Sequence, residues 1–153
     1  MSTLKTGDKA PDFSLFDNKQ TKHSLSDYQG QWIILFFYPK DNTPGCTVEA
    51  CQLRDDYSVF SAINTTVLGI NTDNSQSHVH FINKYQLPFT LLSDETGAVS
   101  KNYGSLFKLG PIKFCKRHSF IIAPDGTIAK IYRKVTPSTH SQQVIADLKT
   151  LQD

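Results

Sequence analysis

Six consecutive residues, Ile33-Ile34-Leu35-Phe36-Phe37-Tyr38, are apolar or aromatic, and no other feature restricts the fold as much. A strand sends successive side chains to opposite faces, so such a run is stable only where both faces are covered. The reading is a strand, Gln31–Tyr38, inside a sheet with helices on either side. The run is far too short for the ~18 residues a membrane span needs. With 153 residues, the chain suits one domain, residues 1–153, around a single core.

Strands and helices alternate around that run. Asp12–Phe16 and Lys22–Leu25 flank the turn residues Asp17-Asn18-Lys19 and predict a short hairpin. Ala50, Leu53, Tyr57 and Phe60 recur at helical spacing and predict one buried face. Thr65–Thr72 reads as a second buried strand. Ser75–Tyr85 predicts a helix with Val79, Ile82 and Tyr85 inward and Pro88 just beyond it. Phe89–Leu92 follows as a short strand, and Thr96–Tyr103 as a short helix closed by Gly104. Ser119–Ala123 and Thr127–Lys134 enclose Pro124-Asp125-Gly126, a hairpin signal. Ser138–Leu151 ends the chain as a helix with Val144, Ile145, Leu148 and Leu151 inward. This order is that of an α/β fold, a thioredoxin-like three-layer sandwich with a central mixed sheet flanked by helices.

Lys, Arg, Asp and Glu alternate along the chain, and the net charge is only +2, so no nucleic-acid partner is expected. No membrane partner is expected either. The start, Met-Ser-Thr-Leu-Lys-Thr-Gly-Asp, has no apolar secretory core, and the expected address is the cytoplasm. Three cysteines occur, Cys46, Cys51 and Cys115. In a reducing compartment structural disulfides are rare, which leaves reactivity or plain burial as their roles.

The segment Tyr38-Pro-Lys-Asp-Asn-Thr43-Pro-Gly-Cys46-Thr-Val-Glu49-Ala-Cys51 follows the buried strand and opens a helix. Thr43 suits the N-cap and Pro44 the first helical position, which puts Cys46 in the first turn. Free N–H groups and the positive dipole end favour a thiolate over a thiol there. Ionisation alone has limits: lowering a thiol's pKa from ~8.5 to ~6 raises its ionised fraction at pH 7 only roughly 30-fold. Further help must act on the substrate, and the Thr43 hydroxyl and the N–H groups of Gly45 and Cys46 are local candidates. Gly45 has no side chain to block a small ligand at this helix end.

The run Pro39-x-x-x-Thr43-x-x-Cys46 resembles the active-site motif of peroxiredoxins. Phe37-Tyr-Pro-Lys and Thr43-Pro-Gly-Cys-Thr-Val-Glu-Ala-Cys51 are similar to the bacterioferritin comigratory protein (peroxiredoxin Q) branch. So are Gly7-Asp-Lys-Ala-Pro-Asp-Phe-Ser-Leu15, Leu91-Leu-Ser-Asp94, Lys101-Asn-Tyr-Gly104 and Arg117-His-Ser-Phe120. The resemblance implies a thiol peroxidase acting on hydrogen peroxide and organic hydroperoxides, with Cys46 as peroxidatic cysteine. Thr43 and Arg117 would orient the thiolate and polarise the peroxide, Pro39 would shield the sulfur, and Glu49 would join the surrounding hydrogen-bond network. Cys51 would resolve the sulfenic acid as a Cys46–Cys51 disulfide, reduced by thioredoxin or a similar dithiol protein. It further implies a monomer and no metal or organic cofactor. Five residues apart on one helix, the two Cα atoms lie about 8.5 Å apart and point away from each other. A disulfide wants roughly 4.4–6.8 Å, so the first turns must unwind for it to close.

The residues leave other readings open. Cys46 could be a small buried hydrophobe, and Cys51 a passive core thiol. Cys115 reads as a semi-buried bystander or as an alternative disulfide partner. Arg117 could form an ordinary surface ion pair, and Glu49 could simply complement the helix dipole. His78 and His80 do not share a helix face, so a metal site is not expected. His118 should point away from Arg117 along its strand and serve structure. A thiol–disulfide oxidoreductase favours Cys-x-x-Cys, whereas four residues separate Cys46 from Cys51. A redox-sensing interaction protein using Cys46 as a switch is the non-enzymatic alternative.

Overall fold

The computed structural model describes residues 3–153. In chain order its elements are β1 (Ser14–Asp17), β2 (Lys22–Ser24), β3 (Trp32–Phe37), α1 (Pro44–Asp55), α2 (Tyr57–Ala62), β4 (Thr65–Asn71), α3 (Ser75–Tyr85), β5 (Thr90–Ser93), α4 (Ala98–Asn102), β6 (Leu106–Leu109), β7 (Ile112–Cys115), β8 (His118–Ile122), β9 (Ile128–Tyr132) and α5 (His140–Leu151). Seven strands form one sheet in the order β2-β1-β5-β4-β3-β8-β9. β3, β4 and β5 run parallel, joined through helices, whereas β1 and β8 pair antiparallel to β5 and β3.

The apolar run explains the layering. Ile34, Phe36 and Tyr38 face one core with Ala50, Leu53, Phe60, Val144 and Leu148, beneath α1, α2 and α5. Ile33, Leu35 and Phe37 face a second core with Val99, Tyr103 and Phe120. Every one of the six is buried. Each such side chain contributes roughly 1.5–3 kcal/mol by leaving water. The outcome is the expected mixed sheet between helical layers, with both cores rooted in one strand.

Side-chain placement departs from the sequence reading in several places. The helix carrying Ala50, Leu53, Tyr57 and Phe60 breaks at Asp56, which accepts a 2.7 Å hydrogen bond from the Ser141 hydroxyl of α5. The break turns Tyr57 outward, while Ala50, Leu53 and Phe60 stay buried. On α3 the buried residues are His78 and Phe81, and Val79, Ile82 and Tyr85 are only half-buried. Leu151, the last residue of α5, lies exposed. The β6–β7 hairpin has no counterpart in the sequence reading. It pairs only with itself, and its apolar residues Phe107, Leu109 and Ile112 are exposed.

Candidate active site

β3 delivers the chain to a tight loop, and the loop turns it into α1. Asn42 takes φ +64°, a left-handed conformation that Asn tolerates better than most residues. Thr43 occupies the N-cap position with extended backbone, and Pro44 is the first helical residue. The Thr43 hydroxyl does not cap the helix, contrary to expectation. It donates instead to the Lys40 carbonyl at 2.9 Å and closes the loop. Among the described residues the N–H groups of Gly45 and Cys46 have no hydrogen-bond partner, so two donors and the dipole end of α1 converge beside the Cys46 sulfur.

Arg117 reaches this helix end from the residue before β8. Its Nη2 lies 3.4 Å from Cys46 Sγ, and its Nη1 donates to Glu49 Oε1 at 2.8 Å. Cys46 and Glu49 are three apart on α1, one turn of the same face, and each is only 1% exposed. One planar fork therefore holds the sulfur and the carboxyl together. Burial pushes the Glu49 carboxyl up to about 7, against the hydrogen bond and charge of Arg117. Its Oε2 is buried without a partner. Burial opposes the charge on Arg117, but Cys46 and Glu49 outweigh it and hold the guanidinium pKa above its ordinary value.

Tertiary structure thus brings together Thr43, Gly45, Cys46, Glu49 and Arg117. Pro39 sits half-buried on the loop between β3 and α1. Cys51 lies farther along the unbroken α1, half-buried, and all three thiols are free. Cys115 is fully buried in the second core, not semi-buried, with Ser100 Oγ 3.1 Å from its sulfur. Burial pushes its thiol up to about 12, which makes it inert near neutral pH. His118 points away from Arg117, as expected, and is buried against Ser105 and Arg133.

Three features escaped the sequence reading. A Cβ on Gly45 would lie 3.0 Å from Arg117 Nη2 and 3.8 Å from Pro137 Cγ, so the glycine admits the arginine as well as any ligand. Asp41 is buried and accepts hydrogen bonds from Tyr38, Ser77 and Asn71, at 2.6, 2.7 and 3.1 Å, while His78 Nδ1 lies 2.7 Å away. This network moors the active-site loop to β4 and α3. Burial would raise the Asp41 pKa, but the hydrogen bonds and charge of its partners prevail and hold it below the ordinary range. His140 of α5, close enough for Arg117 to oppose its protonation, is buried against Ser119 at 2.8 Å. Periodicity could flag the burial of none of these polar groups.

Residues 6–131 match the AhpC/TSA family. The chain is 40% identical over 150 residues to the putative peroxiredoxin bcp of Coxiella burnetii, covering 95% of this chain and 99% of that protein. It is 35% identical over 160 residues to peroxiredoxin Bcp of Bacillus subtilis, covering 99% of each. A cysteine mutant of PrxQ from Xylella fastidiosa superimposes with a TM-score of 0.93 at 31% identity, over 100% of both chains. Peroxidoxin BcpB from Mycobacterium tuberculosis does so with 0.92 at 31% identity, over 98% of this chain and 99% of the other. The chain belongs to the peroxiredoxins of the AhpC/TSA family, thiol-dependent peroxidases, in the branch of Bcp and peroxiredoxin Q.

Proposed function

We propose that Cys46 is the thiol that attacks the peroxide and that Cys51 resolves the product. The observation that carries this reading is the Arg117 fork between Cys46 Sγ and Glu49, set against the free N–H groups of Gly45 and Cys46. The Cys46 thiolate attacks the terminal oxygen of a hydroperoxide. An S–O bond forms, the O–O bond breaks, sulfur loses two electrons, and the departing alkoxide or hydroxide takes a proton to leave as alcohol or water. Arg117 and the helix N–H groups face the negative charge as it passes from sulfur to the leaving oxygen, where fixed donors are most effective. Thr43, whose hydroxyl donates to the Lys40 carbonyl, orients the peroxide in this reading, and Pro39 limits solvent at the sulfur.

The sulfenic acid then meets the Cys51 thiolate. An S–S bond forms and hydroxide leaves, taking up the proton lost by the Cys51 thiol as water. Because α1 is continuous from Pro44 to Asp55, this step requires its first turns to open. A dithiol protein, thioredoxin or its like, reduces the disulfide and restores both thiols. The substrates are hydrogen peroxide and organic hydroperoxides. The chain acts as one domain, a monomer in the reducing cytoplasm. No helix among the described residues is long and apolar enough to cross a membrane.

Stopped-flow mixing of the reduced protein with peroxide tests the assignment. Cys46→Ser should abolish rapid consumption, and a peptide map after one equivalent should contain Cys46 joined to Cys51. Consumption by Cys46→Ser at the parent's rate overturns it.

A further inference from the structure

A cavity of about 650 Å³ opens on the face of β8 and β9 away from Cys46, and its lining is cationic. Lys101, Lys116 and Arg133 contribute to its wall along with His118 and Gly104, and no Asp or Glu does. Among the described residues none of the three cations forms an ion pair, although six such pairs occur elsewhere. Clustered positive charge without compensation costs self-repulsion, which a bound anion relieves.

The cavity is also ordered at its base. Arg133 Nη1 donates to His118 Nδ1 at 3.0 Å and reaches the Gly104 carbonyl at 3.5 Å. An arginine can only donate, so Nδ1 of His118 is an acceptor and the ring proton sits on Nε2. That Nε2–H has no partner among the described residues. The second Arg133 nitrogen, Nη2, is buried and likewise unpartnered. Gly104, at φ +67°, makes room: a Cβ there would lie 3.6 Å from Nη2 and 3.7 Å from Nη1. Burial and the charges of Arg133 and Lys116 push His118 down to about 4, which keeps the ring neutral.

We propose that this cavity is a binding site for a small phosphorylated anion carrying at least two negative charges, held by Lys101, Lys116 and the Nε2–H of His118, with the charge of Arg133 in the wall behind them. Lysine ammoniums match the spread charge of phosphate oxygens, the buried guanidinium adds a fixed positive charge at the base, and the imidazole N–H adds direction. The site is separate from the peroxide chemistry. Lys116 and His118 flank Arg117 in the chain, yet His118 and Arg117 address opposite faces.

Calorimetric titration of pyrophosphate into the reduced full chain, at constant ionic strength, tests this. One saturable site with a dissociation constant of about 1 mM or tighter is expected, with the His118 ring resonances shifting at the same concentrations. Lys101 and Lys116 are exposed, so the double variant Lys101→Gln, Lys116→Gln should fold normally and bind about tenfold or more weakly. The double variant Lys108→Gln, Lys113→Gln removes equal charge from the β6–β7 hairpin and should bind as the parent does. Absence of saturation in the parent, or equal weakening in both double variants, would overturn the proposal.

Discussion

A methyl group on Gly45 would sit 3.0 Å from Nη2 of Arg117, the same nitrogen that reaches the Cys46 sulfur at 3.4 Å. The glycine is therefore part of the arginine's seat, and activity and helix stability pull in opposite directions here. Alanine is the better helix former by roughly 0.8–1.0 kcal/mol in a helix interior. Gly45→Ala should melt no lower than the parent, yet react with peroxide at least about tenfold more slowly, because small displacements of a positioned group are costly. Thermal melts and stopped-flow rates on the same preparation check both halves. A parent-like rate would show that Arg117 yields without consequence.

Replacing the guanidinium removes the fork itself. Arg117→Lys keeps the charge but cannot serve Cys46 and Glu49 together, and its second-order rate with peroxide should fall about 100-fold or more, as for loss of an oxyanion donor. Arg117→Ala adds a stability cost that depends on pH. Glu49 titrates near 7 with its partner present, so losing that partner is tolerated at pH 6, where the carboxyl is neutral, and is damaging at pH 8. Denaturant unfolding at the two pH values would reveal the difference, and equal losses would contradict it.

Glu49→Gln isolates the carboxyl. Its folded pKa of about 7 exceeds the ordinary 4.5, so the folded state binds the proton more tightly than the unfolded chain. Stability from this group is fully present below 4.5 and is lost as pH rises through 7. Relative to Glu49→Gln, the parent should therefore weaken between pH 5 and 8. Parallel stability curves for the two proteins would refute the assignment.

His140 acts in the opposite sense. Burial pushes it down to about 4 from 6.5, so unfolding below pH 6.5 is favoured by proton uptake. The shift is worth on the order of 3 kcal/mol, lost as pH falls from 6.5 to 4. Substitution by Asn should flatten that part of the profile. A slope unchanged in His140→Asn would mean that other groups, such as His118, dominate acid unfolding.

The proposed role of Cys51 as the resolving thiol is tested through the oxidised protein. Amide exchange over residues 44–53 should quicken when the Cys46–Cys51 disulfide forms, since α1 cannot hold it while intact. Cys51→Ser should retain this protection, form the sulfenic acid normally, and over-oxidise to sulfinic acid more readily. Exchange measurements and intact masses after excess peroxide decide the matter. Equal sulfinylation of the two proteins would remove Cys51 from the pathway.

Much of the fold and site is legible in the sequence. The run Ile33–Tyr38 requires a sheet covered on both faces, and Ser75–Tyr85 has the limits read from its pattern. Thr43-Pro-Gly-Cys46 places a cysteine at the start of a helix through local rules alone, those governing capping and the dipole. Misreadings arise where local pattern meets a distant partner. Tyr57 leaves the core because Ser141 pins the break at Asp56, and His78 enters it because Asp41 receives its imidazole from 37 residues away.

Backbone preference and hydrophobic period extend only a few residues along the chain, and that range suffices to specify the strand, the helix start and a cysteine in its first turn. The approach of Arg117, 71 residues from Cys46, is a different kind of fact. It comes from the antiparallel pairing of β8 with β3 and from the absence of a side chain on Gly45, and it is what opposes the burial that raises Glu49. Charges shift one another strongly only at a few ångströms and away from water, and such closeness exists only after the sheet has closed.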